Sequence, residues 1–173
     1  MSNNKGTVYW LTGLSGAGKT TIAKELYCKL KAKKPNVIML DGDTLRETFG
    51  NDLGYSKEDR FKSAMRNAKL CKFLSDQGIH VVCATISMFH DCRNWNRESI
   101  QNYKEIYIKV SLEDLKKRNQ KGLYSVDGNN KNVVGIDIEF EEPKNPDLIV
   151  FNDNDDNLQI KLDDIVKKII DIY

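Results

Sequence analysis

An eight-residue stretch near the start of the chain limits its fold more than any other feature. The stretch is Gly13–Thr20, GLSGAGKT, and it fits the pattern G-x-x-x-x-G-K-[ST] of a phosphate-binding loop. Its glycines allow a tight turn that brings backbone N–H groups close to an anion. Lys19 can reach the terminal phosphates, and the Thr20 hydroxyl can ligate Mg²⁺. The stretch therefore predicts a nucleotide-binding turn.

The segments on either side predict the setting that such a loop requires. Residues 7–12 are β-branched and aromatic, which favours a strand, and residues 21–30 carry apolar side chains at helical spacing. A helix beginning at Gly18 would direct its positive end toward a bound phosphate. Because the strand and the helix both flank the loop, an accidental glycine-rich turn is a poor alternative.

Strand and helix patterns alternate along the rest of the chain. Continuous apolar runs predict buried strands at residues 37–40, 80–86, 105–110 and 147–151. Helical spacing and capping signals predict helices at residues 44–49, 56–76, 91–103 and 111–119, with a last helix from Leu158. Continuous hydrophobicity is typical of parallel strands covered on both faces. We therefore predict an α/β, three-layer P-loop NTPase fold, with a five-stranded parallel sheet flanked by helices.

One long polar segment interrupts this alternation. Residues 122–145 are rich in Gly, Asn, Asp and Glu and show little periodicity. A loop of that length inside a compact domain is usually functional, so we predict a lid at about residues 121–145. Since no linker or repeat divides the chain, residues 1–173 are expected to form a single kinase-like domain.

Composition argues against several classes of protein. The net charge of +2 gives no electrostatic case for binding nucleic acid or membranes. The polar N-terminus lacks the apolar core of a signal peptide, and no apolar run reaches the ~20 residues of a membrane span, so we expect a cytoplasmic protein. The spacing of the cysteines does not support a zinc site and predicts free, buried thiols at Cys28, Cys71, Cys83 and Cys92.

Two carboxylates follow the second predicted strand, and a serine follows the third. Because parallel strands end at one edge of a sheet, Asp41, Asp43 and Ser87 should converge near the phosphate loop. Asp43 is our candidate to orient the attacking hydroxyl, to accept its proton, or to hold Mg²⁺ through water. Asp41 is the second candidate for these roles, and either residue could instead cap a helix.

The remaining candidates lie between the second strand and the long helix. Arg46 and Arg60 are candidate anion clamps, since a cation in the first turns of a helix, like Arg60, opposes the helix dipole unless an anion binds there. Tyr55 could stack on a base. Solvated arginines and a packing tyrosine are the alternatives. The compact layout, the lid and the lack of an N-K-x-D motif favour a small-molecule kinase that uses MgATP.

These residues fit a known pattern, because the chain resembles the adenylylsulfate (APS) kinase family over nearly its whole length. The matching stretches are residues 10–21, 40–43, 52–56 with Asp59 and Arg60, 121–124 and 135–137. That family transfers the γ-phosphate of MgATP to the 3′-hydroxyl of a nucleotide whose 5′ end carries a mixed anhydride. Its members are usually dimers. The resemblance therefore implies a phosphotransferase, acting on small nucleotides as a homodimer.

The resemblance also implies roles for individual residues, with Asp43 near the acceptor hydroxyl and Lys19 acting with it in catalysis. Residues implied in ATP binding are Gly13, Leu14, Ser15, Gly16, Ala17, Gly18, Lys19, Thr20, Thr21 and Arg118. Residues implied in acceptor binding are Asp43, Arg46, Tyr55, Arg60, Ser63, Ile86, Ser87, Lys121 and Val133. The predicted metal ligands are Thr20, from the loop motif, and Asp41, from its place after the second strand.

Departures from the family pattern fall on the acceptor side. The family's Ile-Ser-Pro-Tyr-Arg is here Ile86–His90, which loses an arginine, and Ser63 stands at a typical asparagine. The family's Phe-Thr-Gly-Ile is Val133–Ile136, so one of two rings that sandwich adenine is missing. Such a loss would remove stacking of about 1–3 kcal/mol. The segment after Tyr124 also carries fewer basic residues. The ATP half therefore matches the family and the acceptor half differs.

These departures suit a divergent branch of the family that acts on cytidine diphosphoramidate in making capsule phosphoramidate. A smaller pyrimidine, and a neutral P–N terminus in place of sulfate, would both fit them. An ordinary APS kinase, making 3′-phosphoadenylylsulfate in sulfate assimilation, is the main alternative. A nucleoside monophosphate kinase and a non-catalytic nucleotide-binding regulator are two others, and the presence of Lys19, Thr20 and Asp43 argues against the regulator.

Overall fold

The structure, a computed structural model, describes residues 4–118, 133–153 and 158–171. The strands are β1 (Val8–Thr12), β2 (Val37–Asp41), β3 (His80–Ala84), β4 (Tyr103–Lys109) and β5 (Leu148–Phe151). The helices are α1 (Lys19–Lys31), α2 (Gly42–Thr48), α3 (Lys57–Asp76), α4 (His90–Ser99), α5 (Leu112–Arg118) and α6 (Leu158–Ile170).

The strands form one parallel sheet in the order β2-β3-β1-β4-β5. The predicted α/β fold, with five parallel strands flanked by helices, is confirmed. Because β1 lies at the centre of the sheet, the phosphate loop that follows it is surrounded by the ends of the neighbouring strands. This topology places the loops after β2 and β3 at the same edge as the phosphate loop.

Each face of the sheet carries its own apolar core. The first core lies on the α1 and α6 side and includes Leu11, Leu26 and Val166. The second core lies on the α3 and α4 side and includes Trp10 and Ala68. Successive residues of β1 alternate between the two cores, which explains why every residue of this strand is buried.

The predicted ends of one helix and one strand were wrong, and the pairing of β4 and the turn after β3 explain them. The helix expected to reach Tyr103 ends at Ser99, because Tyr103 pairs with Val8 and so begins β4. The third strand ends at Ala84 and not at residue 86, since the chain turns away from the sheet and Ser87 adopts a φ of 38°.

The predicted N-cap of α3 was confirmed, and the predicted N-cap of α4 was wrong. The Ser56 side chain accepts a hydrogen bond from the backbone N–H of Asp59, as the capping box predicts. The expected cap at Asp91 was wrong, because the N-cap of α4 is Phe89 and makes no side-chain hydrogen bond.

The four cysteines are free thiols, and three of them are buried as expected, whereas Cys28 is exposed. Burial raises the pKa of Cys92 to about 12. The pKa of Cys83 is also raised, by a hydrogen bond with Cys71 and by burial. Both thiols are therefore protonated at neutral pH, in the form that is a poor nucleophile.

Candidate active site

The phosphate loop turns sharply between β1 and α1, and its glycines are needed where neighbouring chain comes close. At Gly13 a Cβ atom would lie 2.4 Å from the carbonyl oxygen of Ile108 in β4. Gly18 has a φ of 94°, and a Cβ atom there would lie 2.6 Å from the Nδ2 atom of Asn152. Both positions therefore require glycine, for space at the first and for space and conformation at the second.

Lys19 folds back over this loop from the first turn of α1. Its Nζ atom donates a hydrogen bond to the carbonyl oxygen of Leu14, over 2.7 Å. The ammonium group thus lies across the turn whose N–H groups would surround a phosphate. This arrangement is suited to binding a polyphosphate, because backbone dipoles and one positive charge converge on the same space.

Asp41 connects the phosphate loop to the second strand. Its Oδ2 atom accepts a hydrogen bond from the Thr20 hydroxyl over 2.7 Å, and its Oδ1 atom accepts one from the backbone N–H of Asp43 over 3.0 Å. The second contact makes Asp41 the N-cap of α2. Asp43 lies in the first turn of that helix and is exposed. Asp41 therefore contacts Thr20 directly, and Asp43 follows it in the first turn of α2.

Two residues support the phosphate loop from its far side, and one of them escaped sequence analysis. The buried Asn152, just after β5, donates a hydrogen bond from Nδ2 to the carbonyl oxygen of Ala17 over 2.8 Å. Arg118 donates to the carbonyl oxygens of Gly16, over 3.3 Å, and of Asn152. No motif marks Asn152, because it lies 135 positions from its partner.

On the acceptor side, two arginines lie over one exposed ring. The guanidinium carbons of Arg46 and Arg60 are 4.5 Å and 5.3 Å from the centroid of the Tyr55 ring. Arg46 also donates to the carbonyl oxygens of Leu53 and Gly54, and Arg60 Nε donates to that of Tyr55 over 3.0 Å. Burial and the nearby charge of Arg46 lower the pKa of Arg60. An anion placed here would relieve the repulsion between the two cations.

A third arginine holds this segment against α3, and sequence analysis missed it as well. Arg66 forms a bidentate pair with Asp52, with N–O distances of 2.9 Å and 2.7 Å. Its guanidinium carbon also lies 4.9 Å from the centroid of the Phe49 ring. The hydrogen bond and charge of Asp52 raise the pKa of Arg66, and the hydrogen bond and charge of Arg66 lower the pKa of Asp52. Residues 49–52 are thereby anchored next to Tyr55.

The loop between β3 and α4, residues 85–89, forms the next part of the site. The Thr12 hydroxyl donates to the carbonyl oxygen of Ile86, which fixes this loop to the end of β1. Ser87 is buried, and its carbonyl oxygen accepts a hydrogen bond from the guanidinium of Arg93. Within the described parts of the chain, Ser87 Oγ makes no hydrogen bond of ordinary geometry, although it interacts with the Cys92 thiol.

The other predicted site residues on this side differ in how buried they are. Ser63 is half-buried on α3. Val133 belongs to the first core and is 5% exposed, whereas Tyr55 is 57% exposed. Lys121, and with it residues 121–132 of the predicted lid, lies outside the described residues. The pair of residues expected to enclose the acceptor base, Tyr55 and Val133, therefore has one exposed ring and one core side chain.

Thr20 and Asp41 supply oxygen atoms that suit a metal ion at this site. Thr20 Oγ1 and the Asp41 carboxylate are hard oxygen ligands already in hydrogen-bond contact. Within residues 4–118, 133–153 and 158–171, no group of three or more His, Cys, Asp or Glu residues could hold a metal by itself. The donor set fits Mg²⁺, which commonly takes one or two protein oxygens and completes its shell with phosphate and water.

Comparison with known proteins agrees with this geometry. A sequence model of the adenylylsulphate kinase family matches residues 5–151. The cytidine diphosphoramidate kinase of Campylobacter jejuni is 47% identical over 171 residues, which cover 98% of this chain and 99% of that protein. The adenylyl-sulfate kinase of Halothermothrix orenii is 41% identical over 157 residues, covering 90% and 85%.

A solved structure supports the same assignment. The Mycobacterium tuberculosis APS kinase CysC, in complex with AMPPNP and APS, superposes with a TM-score of 0.86. It is 32% identical, with 97% of each chain covered. In the part of this chain that the structure describes, no helix is both long enough and apolar enough to span a membrane.

Proposed function

The chain belongs to the adenylylsulphate kinase family, and within it we propose that it transfers the γ-phosphate of ATP to the 3′-hydroxyl of cytidine diphosphoramidate. The observation that carries this choice is the 47% identity, over almost the whole of both chains, to a relative named for that acceptor. The altered acceptor side of this chain supports the same choice. The product would serve capsule phosphoramidate synthesis in the cytoplasm, where ATP and nucleotide acceptors are available.

The phosphate loop, Lys19 and Arg118 would bind ATP. N–H groups of the loop would bind the phosphates, and Lys19 would exchange its bond to Leu14 for a phosphate oxygen. Arg118 is held by the carbonyl oxygens of Gly16 and Asn152, and we propose that it lies near the bound ATP. These residues would hold the triphosphate and align its γ-phosphoryl group.

Magnesium would enter with ATP, and Thr20 with Asp41 would hold it. When bound, Mg²⁺ neutralises charge on the β- and γ-phosphates. The residues themselves contribute orientation, since Asp41 fixes the Thr20 hydroxyl and the start of α2 at once. Asp43 is thereby carried at a defined place in the first turn of α2.

Asp43 is our proposed contact for the acceptor hydroxyl. The reaction forms a bond between the 3′-oxygen and the γ-phosphorus and breaks the bond to ADP, while the hydroxyl proton passes to Asp43 or to solvent. Phosphoryl transfer of this type depends mainly on positioning and charge neutralisation, so Lys19 and Asp43 together are expected to carry catalysis.

The acceptor would lie along the segment from α2 to α3 and the loop after β3. Tyr55 offers a stacking face, and Arg46 and Arg60 offer charge for the diphosphate. Ser63, Ile86 and Ser87 are proposed to line the same side. Val133 would border the base without a second ring, which suits a cytosine better than an adenine sandwich. Lys121 is proposed to approach the phosphates.

The test is a direct assay of both acceptors with purified protein. Formation of ADP and of a 3′-phosphorylated product, identified by phosphorus NMR, is expected with cytidine diphosphoramidate and not with APS. The opposite preference would identify an ordinary APS kinase, the alternative that the 41% identical relative supports. Phosphorylation of CMP or AMP at the 5′-phosphate would instead indicate a nucleoside monophosphate kinase.

Two further measurements complete the proposal. Turnover should be lost in Lys19→Ala and Asp43→Asn while the circular dichroism spectrum is unchanged, and full activity in both variants would contradict the assigned roles. We also propose a homodimer, on the family resemblance, and light scattering after size exclusion would measure it.

A further inference from the structure

We infer that Arg93 is a positioning residue that joins the β3–α4 loop, residues 85–89, to the segment 133–142. In this way Arg93 fixes the position of the acceptor side relative to the phosphate loop. The test of this role by KM values rests on the proposed function, whereas the test by hydrogen exchange depends on the structure alone. Arg93 lies in the first turns of α4 and is 3% exposed, although an arginine is rarely so buried.

A single guanidinium group reaches both parts of the chain. Arg93 Nη1 donates to the carbonyl oxygen of Ser87, and Nη2 donates to the carbonyl oxygen of Glu141. Nη2 also lies 2.9 Å from His90 Nδ1, where the ring nitrogen accepts when the histidine is neutral. A planar, multidentate donor is required for such an arrangement, since an ammonium group cannot match several fixed acceptors at once.

The backbone makes the same connection independently of Arg93. The N–H of Glu141 donates to the carbonyl oxygen of Met88 over 3.1 Å. The N–H of His90 donates in return to the Glu141 carboxylate. Glu141 is thus bound to the loop through its N–H, and to the start of α4 through its side chain and its carbonyl oxygen.

The other end of the same segment lies against the phosphate loop. Gly135 is so close to Leu14 that a Cβ atom at position 135 would lie 2.9 Å from Leu14 Cδ2. Val133 packs in the first core together with Ala17. The segment 133–142 therefore touches the loop that would hold ATP at one end and the loop that would line the acceptor site at the other.

Ser87 explains why the loop needs such support. Its φ of 38° is in the left-handed region, which a serine seldom adopts without a surrounding structure that enforces it. Arg93 donates to the carbonyl oxygen of Ser87, and Thr12 donates to that of Ile86 and, over 3.4 Å, to that of Ser87. Removing the Arg93 contact should let this backbone relax.

A competing explanation is that Arg93 serves only to balance the buried carboxylate of Glu105, 3.6 Å away. Arg97, on the same helix, supplies a matched control, because it lies 3.4 Å from the same carboxylate. Its other bonds run to Asn145 and Asp147, away from the β3–α4 loop. A role in charge balance would be shared by the two arginines, whereas a positioning role belongs to Arg93.

The experiment compares Arg93→Lys, which keeps the charge, with Arg97→Gln. Amide hydrogen exchange, followed by NMR on protein without nucleotide, should become about tenfold faster at His90 and Glu141 in Arg93→Lys alone. With cytidine diphosphoramidate and APS each supplied as acceptor, the acceptor KM should rise about tenfold in Arg93→Lys, while the KM for ATP stays within about twofold. Arg97→Gln should change neither quantity.

Unchanged exchange at His90 and Glu141 in Arg93→Lys overturns the inference, whichever acceptor is used. Equal rises in both KM values, or the same effects in Arg97→Gln, overturn it too. If Arg93→Lys fails to fold, the double variant Arg93→Gln/Glu105→Gln, which removes both buried charges, replaces it with the same expected results. If the wild-type protein turns over neither acceptor, the proposed function fails, and the exchange measurement still decides the positioning role.

Discussion

The Thr20 hydroxyl donates a hydrogen bond to Asp41 Oδ2 over 2.7 Å and so joins the first turn of α1 to the end of β2. Strand β3 lies between β2 and β1 in the sheet, so this bond passes over the edge of β3. The same carboxylate caps α2 through the N–H of Asp43. The Asp41 side chain thereby connects the proposed site for ATP and its metal to α2, the helix that carries the proposed catalytic residue Asp43.

Asp41 should show these two roles separately when it is replaced by asparagine and by alanine. Asparagine can still cap α2 but lacks the charge that attracts Mg²⁺, so Asp41→Asn should need more Mg²⁺ for half-maximal turnover and remain stable. Asp41→Ala should in addition lose about 1 kcal/mol of unfolding free energy, measured in urea, because the cap is gone. Equal stability of the two variants would argue against the cap.

Asp43 should affect the rate of the chemical step more than substrate binding. Asp43→Asn is expected to lower kcat about 10²–10⁴-fold, the usual range for loss of a general base. Both KM values should change by less than about threefold, because the amide keeps the shape of the side chain. Steady-state kinetics with each substrate varied would measure this, and Glu47→Gln, another exposed carboxylate on α2, is the control. A kcat close to the wild-type value would remove Asp43 from catalysis.

Asn152 should matter for ATP and not for the acceptor. In Asn152→Ala the buried carbonyl oxygen of Ala17 loses its partner, which typically costs about 1–3 kcal/mol and should loosen the phosphate loop. The KM for ATP is therefore expected to rise about tenfold, with the acceptor KM little changed. Asp153→Ala is the control, because that carboxylate binds the N–H of Ser111 instead. The prediction fails if both variants alter the KM for ATP equally.

Arg66 should matter for the acceptor and not for ATP. Arg66→Lys cannot form the bidentate pair with Asp52, so the segment that ends at Tyr55 should lose its anchor to α3. We expect the acceptor KM to rise about fivefold and the KM for ATP to stay constant. Lys62→Gln breaks an exposed pair with Glu58 on the same helix and should have no effect. An unchanged acceptor KM in Arg66→Lys would show that the anchor is dispensable.

Histidine protonation should destabilise the fold as the pH falls. His80 Nδ1 accepts a hydrogen bond from the N–H of Thr7 over 3.0 Å, and burial together with Lys34 lowers the pKa of His80 below its usual 6.5. Burial and Arg93 lower the pKa of His90 in the same way. A lowered pKa means that the unfolded chain binds protons first, so stability present above pH 6.5 is lost as the pH falls through the folded pKa values.

Urea denaturation between pH 7.5 and pH 5 would measure this dependence, as those values bracket the usual histidine pKa of about 6.5. In His80→Gln the side-chain oxygen can still accept from Thr7, and the dependence on pH should be reduced. Identical slopes for the variant and the wild-type protein would show that His80 does not contribute.

Much of the fold was determined by the sequence alone, because local patterns decided it. The phosphate-loop motif, the continuous apolar strands and the Ser56 capping box each lie within a short stretch, where spacing is enough to define a strand, a turn or a helix start. The same holds for the candidates Lys19, Thr20 and Asp41, since ends of parallel strands meet at one edge of the sheet.

Only the tertiary structure decided the contacts that join distant parts of the chain. The end of α4 follows from the pairing of Tyr103 with Val8, which outweighs the local helical pattern. Asn152 and Arg93 have no sequence signature, because their partners Ala17 and Glu141 lie 135 and 48 positions away. A polar side chain becomes part of a site when folding buries it against an unpaired carbonyl oxygen, and no periodicity in the sequence records that event.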